Sequence, residues 1–283
     1  MASIMTNASA LTALQTLSTV SGSLVQTQNR ISTGYKVANA KDNASYFAIA
    51  TTMQSDVSAF KEINENLSFS LNAVTVGRVA TESVLDVLKE VKSQLSLATA
   101  SATDHAKIGA YLTELGEQIS TAIGAASFNG ENVIDDTTAR SIVSGFNRTG
   151  SATIATTTID FTGQDLSAIA TYVGTLEASI TAGADGVANA AAAATELVAL
   201  EAHIQTASNA AAELGTVGKR IELQQKFLTK LNDELSIGIG GIVDADMNEE
   251  STRLQALQVQ QQLAIQALSL ANQQPQNILS LFR

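Results

Sequence analysis

The chain has 283 residues, with no cysteine, no tryptophan and one proline, Pro275; 16 basic and 27 acidic side chains leave a formal net charge of −11. This composition excludes a disulfide-stapled, collagen-like or Pro/Gly-rich disordered chain, and with it any thiolate nucleophile or thiolate metal site. Hydrophobic residues make up 45% and aromatic residues only 4%, so the core must be built from Ala, Leu, Val and Ile, and the scarcity of proline lets helices run long.

The first segment, MASIMTNASALTALQTL, lacks the basic start and continuous apolar core of a cleaved signal peptide. From Ala10 a 3-4 spacing runs through Ala13, Leu17, Val20, Leu24, Thr27 and Ile31, which predicts an amphipathic helix. A second 3-4 alternation starts at Phe60 and passes Ile63, Leu67, Ser70, Val74, Gly77, Thr81, Val84, Leu88, Val91, Leu95 and Ala98. Nine of these twelve positions are apolar, which predicts a rod roughly 60 Å long. A shorter helix is expected over 107–123, with Ile108, Leu112, Leu115 and Ile119 on one face.

The texture then changes. Phe128-Asn129-Gly130 carries an Asn-Gly turn signal. Residues 137–163 hold eight threonines and favour extended structure, so one or two hairpins are expected there. A helical pattern returns at 165–181, and the alanine run from Ala188 leads into a second rod. Its stripe runs from Leu197 through Leu200, Ile204, Ala207, Ala211, Leu214, Gly218, Ile221, Gln225, Leu228 and Asn232 to Leu235. Two matched rods should lie side by side. Gly238-Ile239-Gly240-Gly241 then reads as a helix stop and flexible joint, and Asp244 and Asp246 as turn and capping residues rather than a divalent-ion site.

The last segment is the most informative. Between Leu254 and Phe282 there is no charged residue, and Gln and Asn supply 11 of 29 positions. Leu254, Leu257, Leu263, Ile265, Leu268 and Leu270 cover more than one face, so this helix must be buried on most sides. Without charges to solubilise it, such an arm is expected to be disordered alone or buried against other copies.

Charge follows the same division. The first acid is Asp42, and residues 251–283 contain Arg253 and Arg283 but no acid, so residues 42–250 hold all 27 acids against 11 bases. An acidic body without a basic stripe argues against nucleic-acid binding, and its excess charge reads as solubility. No stretch approaches about 18 uninterrupted apolar residues, so no membrane span is expected. His105 and His203 are the only histidines; both read as surface or groove residues, and no nucleophile is paired with a positioned base. No catalytic, metal or cofactor-binding residue is expected.

Two segments carry a resemblance. The run Gln28-Asn29-Arg30-Ile31-Ser32-Thr33-Gly34-Tyr35-Lys36-Val37-Ala38-Asn39-Ala40-Lys41-Asp42-Asn43, continuing to Phe47-Ala48-Ile49-Ala50, resembles the N-terminal signature of bacterial flagellins. Within it Arg30, Ser32, Thr33, Gly34, Lys36, Ala40, Lys41 and Asp42 carry the match. The segment from Val243 to Arg283 resembles the flagellin C-terminus, closing on Ile278-Leu279-Ser280-Leu281-Phe282-Arg283. Together the resemblance covers about residues 1–133 and 195–283, and is nearest to the short flagellins of alphaproteobacteria.

The resemblance implies a mainly α fold: a long antiparallel helical bundle or coiled-coil rod, a small β-hairpin region at its outer end, and helical terminal arms. It divides the chain into an N-terminal arm (1–41), the N-terminal part of the rod (42–127), the hairpin region (128–164), the C-terminal part of the rod (165–242) and a C-terminal arm (243–283). It implies a secreted subunit of the extracellular bacterial flagellum that polymerises with itself into the filament used for motility. The arms would form the filament's inner core and be disordered in the monomer. Self-assembly would rest on Leu11, Leu14, Leu17, Leu24 and Ile31, and on Leu254, Leu257, Leu263, Leu268, Leu270, Leu281, Phe282 and Arg283. Ordering them costs about 1–2 kcal/mol of backbone entropy per residue, which burial against neighbouring copies must exceed. The implied partners are a flagellar type III export apparatus, an export chaperone, and cap and junction proteins. The hook–filament junction protein of the same superfamily is the alternative; an enzyme-bearing flagellin and an unrelated coiled-coil adaptor fit less well.

One stretch departs from the family. Many flagellins meet an innate immune receptor through Leu-Gln-Arg-Val-Arg-Glu-Leu on the first rod. Here the matching residues are Leu88-Lys89-Glu90-Val91-Lys92-Ser93-Gln94. Glu90 reverses a charge and Gln94 replaces a leucine, so weak receptor activation is expected.

Overall fold

The computed structural model describes residues 7–148 and 154–281, with side chains through residue 273. Six helices and four strands follow one another: α1 (Ala8–Thr33), α2 (Ala44–Ala98), α3 (His105–Ala125), β1 (Ser127–Phe128), β2 (Glu131–Asn132), β3 (Ala139–Arg148), β4 (Ile154–Thr162), α4 (Ser167–Thr181), α5 (Gly186–Val243) and α6 (Met247–Leu281). The fold is mainly α, as the periodicity and the scarcity of proline require. The chain forms two compact units, one of Met1–Ser58 with Asp233–Arg283 and one of Ala59–Asn232.

In the 59–232 unit, α2 and α5 run antiparallel along their apolar stripes. Gln225 Nε2 donates to Ser68 Oγ at 2.9 Å, and Lys92 pairs with Glu201 at 2.7 Å. A Cβ on Gly218 would touch Val74, and one on Gly77 would touch Leu214. Leu67, Val84, Leu88, Val91, Leu95, Leu200, Leu214 and Ile221 are all fully buried. The two sequence stripes are therefore the facing surfaces of one helix pair.

Helices α3 and α4 close against each other at Gly116, where a side chain would crowd the facing backbone. A Cβ on Gly116 would lie 3.0 Å from the Gly174 backbone nitrogen. Around that point Leu112, Ile119, Ile169, Val173, Leu176 and Ile180 are buried. His105 is buried rather than superficial, because its Nε2 lies 2.9 Å from the Ala98 carbonyl at the α2 terminus. His203 stacks on Tyr172 with ring centroids 4.1 Å apart, and desolvation holds its pKa below the usual 6.5.

Two hairpins occupy the middle of the chain. β1 and β2 are joined by Asn129 (φ 52°) and Gly130 (φ 84°), the left-handed pair that an Asn-Gly hairpin turn requires. β3 and β4 pair antiparallel from Ala139↔Thr162 to Arg148↔Ile154, with a register shift between Val143 and Gly145. Phe146 of β3 stacks on Phe60 of α2 at 4.3 Å, and Gln224 of α5 donates to the Ser144 carbonyl at 2.7 Å. These contacts fasten the threonine-rich sheet to the helix pair.

The other unit has its own small core of Val37, Ala50, Val57, Ile239 and Val243, with Phe47, Met53, Leu235 and Ile242 packed on it. It corrects one expectation. Helix α5 runs through Gly238, Gly240 and Gly241 and stops only at Val243. Each glycine costs a helix up to about 1 kcal/mol, but Ile239 and Val243 reach this core only if the helix continues. Asp246 then starts α6, its Oδ1 accepting from the backbone of Asn248 at 2.8 Å and Glu249 at 3.3 Å.

Candidate self-assembly site

Helices α1 and α6 pair antiparallel, Asn7 meeting Ala271 at one end and Arg30 meeting Glu250 at the other. The stripe Ala10, Ala13, Leu17, Val20, Leu24, Thr27 and Ile31 is shielded along its whole length. Opposite it Leu254, Leu257, Gln261, Ala264, Leu268 and Ala271 are shielded at the same 3-4 spacing. Small residues dominate one end, where Ser9, Thr12, Ala13 and Thr16 face Ala264, Ala267 and Ala271 across a groove of about 480 Å³.

The arm leucines thus divide into two sets. Leu17, Leu24, Ile31, Leu254, Leu257 and Leu268 serve the pair itself. Leu11, Leu14, Leu263 and Leu270 point outward, 61%, 55%, 58% and 65% exposed, together with Val25, Val259 and Ile265. From residue 254 to 273 there is no charge beside them. Such a concentration of exposed apolar surface marks an interaction site. Of the remaining expected residues, the Leu281 side chain, Phe282 and Arg283 lie outside the described residues.

Pro275 sits inside α6, a place where proline removes a helical N–H donor and leaves the carbonyl four residues earlier without its partner. That carbonyl belongs to Ala271, and Asn7 Nδ2 donates to it at 2.8 Å. The same amide caps α1, its Oδ1 accepting from Ala10 N at 3.1 Å. One side chain therefore closes the start of α1 and fills the gap that proline opens in α6. Asn7→Asp keeps the cap acceptor but cannot donate, and it sets a carboxylate against a carbonyl. An unpaired carbonyl costs about 1–3 kcal/mol, so Asn7→Asp should raise the concentration needed for polymerisation about tenfold or more. Sedimentation after seeded growth reads this; a value equal to wild type would dismiss the clasp.

The signature residues build the connection between α1 and α2. Gly34 ends α1 at φ 76° and donates to the Arg30 carbonyl at 2.8 Å, a left-handed cap that disfavours a side chain. Thr33 Oγ1 donates to the Asn29 carbonyl. The backbone N–H groups of Lys36 and Val37 both donate to the Val243 carbonyl, at 2.7 and 3.2 Å, and Ala245 N donates back to Gly34 O at 2.8 Å. Asp42 Oδ2 accepts from Ala38 N and Asn39 N, which closes the Ala40–Lys41 turn before α2. Ser32, Lys36, Ala40 and Lys41 are exposed.

Arg30 Nη1 donates to Glu250 Oε1 at 2.9 Å, where Glu250 is 5% exposed, and Arg253 approaches the same oxygen at 3.4 Å. Removing a partner from so buried a carboxylate is strongly destabilising. Sequence reasoning found Arg30 but missed Asn7 and Glu250. Their partners lie 264 and 220 residues away, and nothing local announces them. On α2, Glu90 is exposed and accepts from Gln94 Nε2 at 2.8 Å, while Leu88 and Val91 of the same stretch are fully buried.

No helix among the described residues is long and apolar enough to cross a membrane. The family described as the bacterial flagellin N-terminal helical region matches residues 4–139, and the bacterial flagellin C-terminal helical region matches residues 197–282. The chain is 40% identical to a flagellin of Brucella melitensis and 39% identical to flagellin C of Rhizobium meliloti, each over all of both chains. It is 35% identical to flagellin FljM of Caulobacter vibrioides over 99% of this chain and 98% of that one. Flagellin A of Rhizobium meliloti aligns at 34% identity over 396 positions, more than this chain's own 283, so that relative carries residues this chain lacks. With both terminal regions matched and full-length relatives at this identity, the chain belongs to the bacterial flagellin family.

Proposed function

We propose that this chain, a structural subunit of the bacterial flagellar filament, enters the polymer by burying the outer face of its α1–α6 pair against other copies. The observation behind this reading is the row Leu11, Leu14, Leu263 and Leu270, exposed on helices almost free of charge. Glutamines and asparagines interleave with them and can hydrogen-bond between arms without the cost of burying ions. In the free subunit that apolar face is solvated, so the pair is only marginally stable and keeps a residual helicity; in the filament it is covered and fully ordered. A heterologous contact of this kind, repeated around an axis, gives an open helical polymer.

The role is structural and not enzymatic, and the hook–filament junction alternative is not favoured, since the relatives are flagellins. The subunit is secreted, and meets the type III export apparatus, a chaperone, and cap and junction proteins on its way to the outside of the cell. The five-part division into arms, rod and hairpin region describes how it is used there. Electron microscopy of the purified chain after nucleation with a precipitating salt tests the reading. Long filaments of uniform width are expected; discrete bundles of fixed size would overturn it.

Exposed Glu90 stands where receptor-activating flagellins carry an arginine, and its tie to Gln94 presents an acid and an amide on that surface. The purified monomer should therefore activate the innate flagellin receptor weakly in a reporter-cell assay. Potency equal to that of a flagellin with Arg and Leu at these positions would refute this, and Glu90→Arg with Gln94→Leu should raise it.

A further inference from the structure

The 59–232 unit carries two exposed patches of its own. On α5, Leu223 and Phe227 are 57% and 56% exposed. Lys219, Arg220, Lys226 and Lys230 recur around them at 3-4 spacing and share their face, away from buried Val217, Ile221 and Leu228. These are four of the 11 bases in residues 42–250, packed into one short stretch of an otherwise acidic body. Lys219 pairs with Glu222 at 3.1 Å, whereas Arg220, Lys226 and Lys230 have no ion-pair partner among the described residues.

The second patch is a groove of about 490 Å³ between α2 and the hairpins, lined by Asn66, Phe69, Ala73, Val133, Val143 and Phe161 among others. Phe69 leans on Phe128 at 5.0 Å but stays 41% exposed, as does Val143. Glu65 and Glu62 lie on the Phe69 face of α2, one and two turns before it; Glu131 lines the groove itself beside Arg140, whose charge is met by Glu131 at 3.9 Å and Asp136 at 2.8 Å. No α5 residue lines this groove. The Gln225–Ser68 hydrogen bond puts both patches at one level of the helix pair.

We propose that the Leu223–Phe227 knob of one copy seats in the Phe69 groove of a neighbouring copy, with the lysine and arginine frame of the knob facing the glutamate frame of the groove. This rests on the reading of the chain as a self-polymerising subunit, and adds a second, lateral contact to that of the arms. A groove of this volume accepts a ligand-sized apolar body, and the two frames are opposite in sign, which fixes partner and register. Because knob and groove are different surfaces, the contact propagates rather than closing into a dimer.

The absence of cysteine in the chain makes the test clean. In filaments of Phe69→Cys with Phe227→Cys, mild oxidation should give a ladder of covalent oligomers on a denaturing gel, while each single variant stays monomeric. Filaments of this pair and of Val143→Cys with Leu223→Cys that yield no ladder would overturn the proposal. Charge reversal supplies an independent readout. Lys226→Glu with Lys230→Glu, or Glu62→Lys with Glu65→Lys, should raise the concentration needed for growth about tenfold, and all four changes in one chain should restore it. Failure of the fourfold variant to recover, with monomer melting unchanged, would also overturn it. So would binding to anionic vesicles that the Lys226→Glu, Lys230→Glu variant loses while its filaments grow normally, since the face would then serve a membrane. If the unaltered chain forms no filaments, the self-assembly reading itself fails, which is a distinct result.

Discussion

Removal of residues 1–35 or 254–283 should abolish filament growth and leave the 59–232 unit folded, with a cooperative thermal transition close to that of the full chain. The first deletion takes all of α1, the second most of α6, and either one strips the surviving helix of its partner. The 59–232 unit has its own core, in which Leu67, Leu88, Leu95, Leu112, Leu200 and Leu214 are fully buried. The stability of that core should therefore be insensitive to loss of the arms. Differential scanning calorimetry and electron microscopy of the same samples read both halves of the expectation. A truncated chain that still polymerises would remove the arms from the mechanism. A transition lowered by many degrees would instead make them part of the rod's fold.

The long elements were legible because their signals are periodic and redundant. Twelve positions spaced along each of α2 and α5 specify one face, and no single exception such as Ser70 or Gln225 disturbs it; both are half-buried at the seam. The Asn129–Gly130 turn was legible because only such residues accept positive φ at low cost. The glycines 238, 240 and 241 misled because local propensity is a weak term, overridden where Ile239 and Val243 have a core to reach. In the N-terminal arm the spacing from Ala10 to Ile31 picked out the α6-facing stripe, but it could not say what Leu11 and Leu14, off that stripe, are for. In the C-terminal arm leucines occur around the helix, and only the antiparallel register separates Leu268 from Leu263. The Asn7–Ala271 clasp was illegible for a simpler reason: a proline gap and its filler lie at opposite ends of the chain, and neither is unusual alone.

That separation of faces yields the sharpest expectation for the arms. Leu263 is 58% exposed, so Leu263→Asp should cost the isolated subunit almost nothing, and far-UV helicity and melting should match wild type. The proposed contact buries the same position in the filament, where an unpaired carboxylate in an apolar contact would cost several kcal/mol. At tenfold per 1.4 kcal/mol, the concentration needed for growth should rise at least about a hundredfold. Leu263→Met conserves volume and apolarity, and should polymerise almost normally. Leu268→Asp differs, because Leu268 lies on the shielded stripe toward α1. It should block growth as severely, but also separate the pair, so that residual arm helicity is lost together with assembly. Light scattering during seeded growth, with circular dichroism of the unassembled subunit, distinguishes the two. Equal effects of Leu263→Asp and Leu268→Asp on subunit helicity would mean that the arms do not pair in this register. Normal growth of Leu263→Asp would mean that the outer face of α6 remains solvated in the filament, and the burial that drives assembly must then be sought elsewhere on the chain.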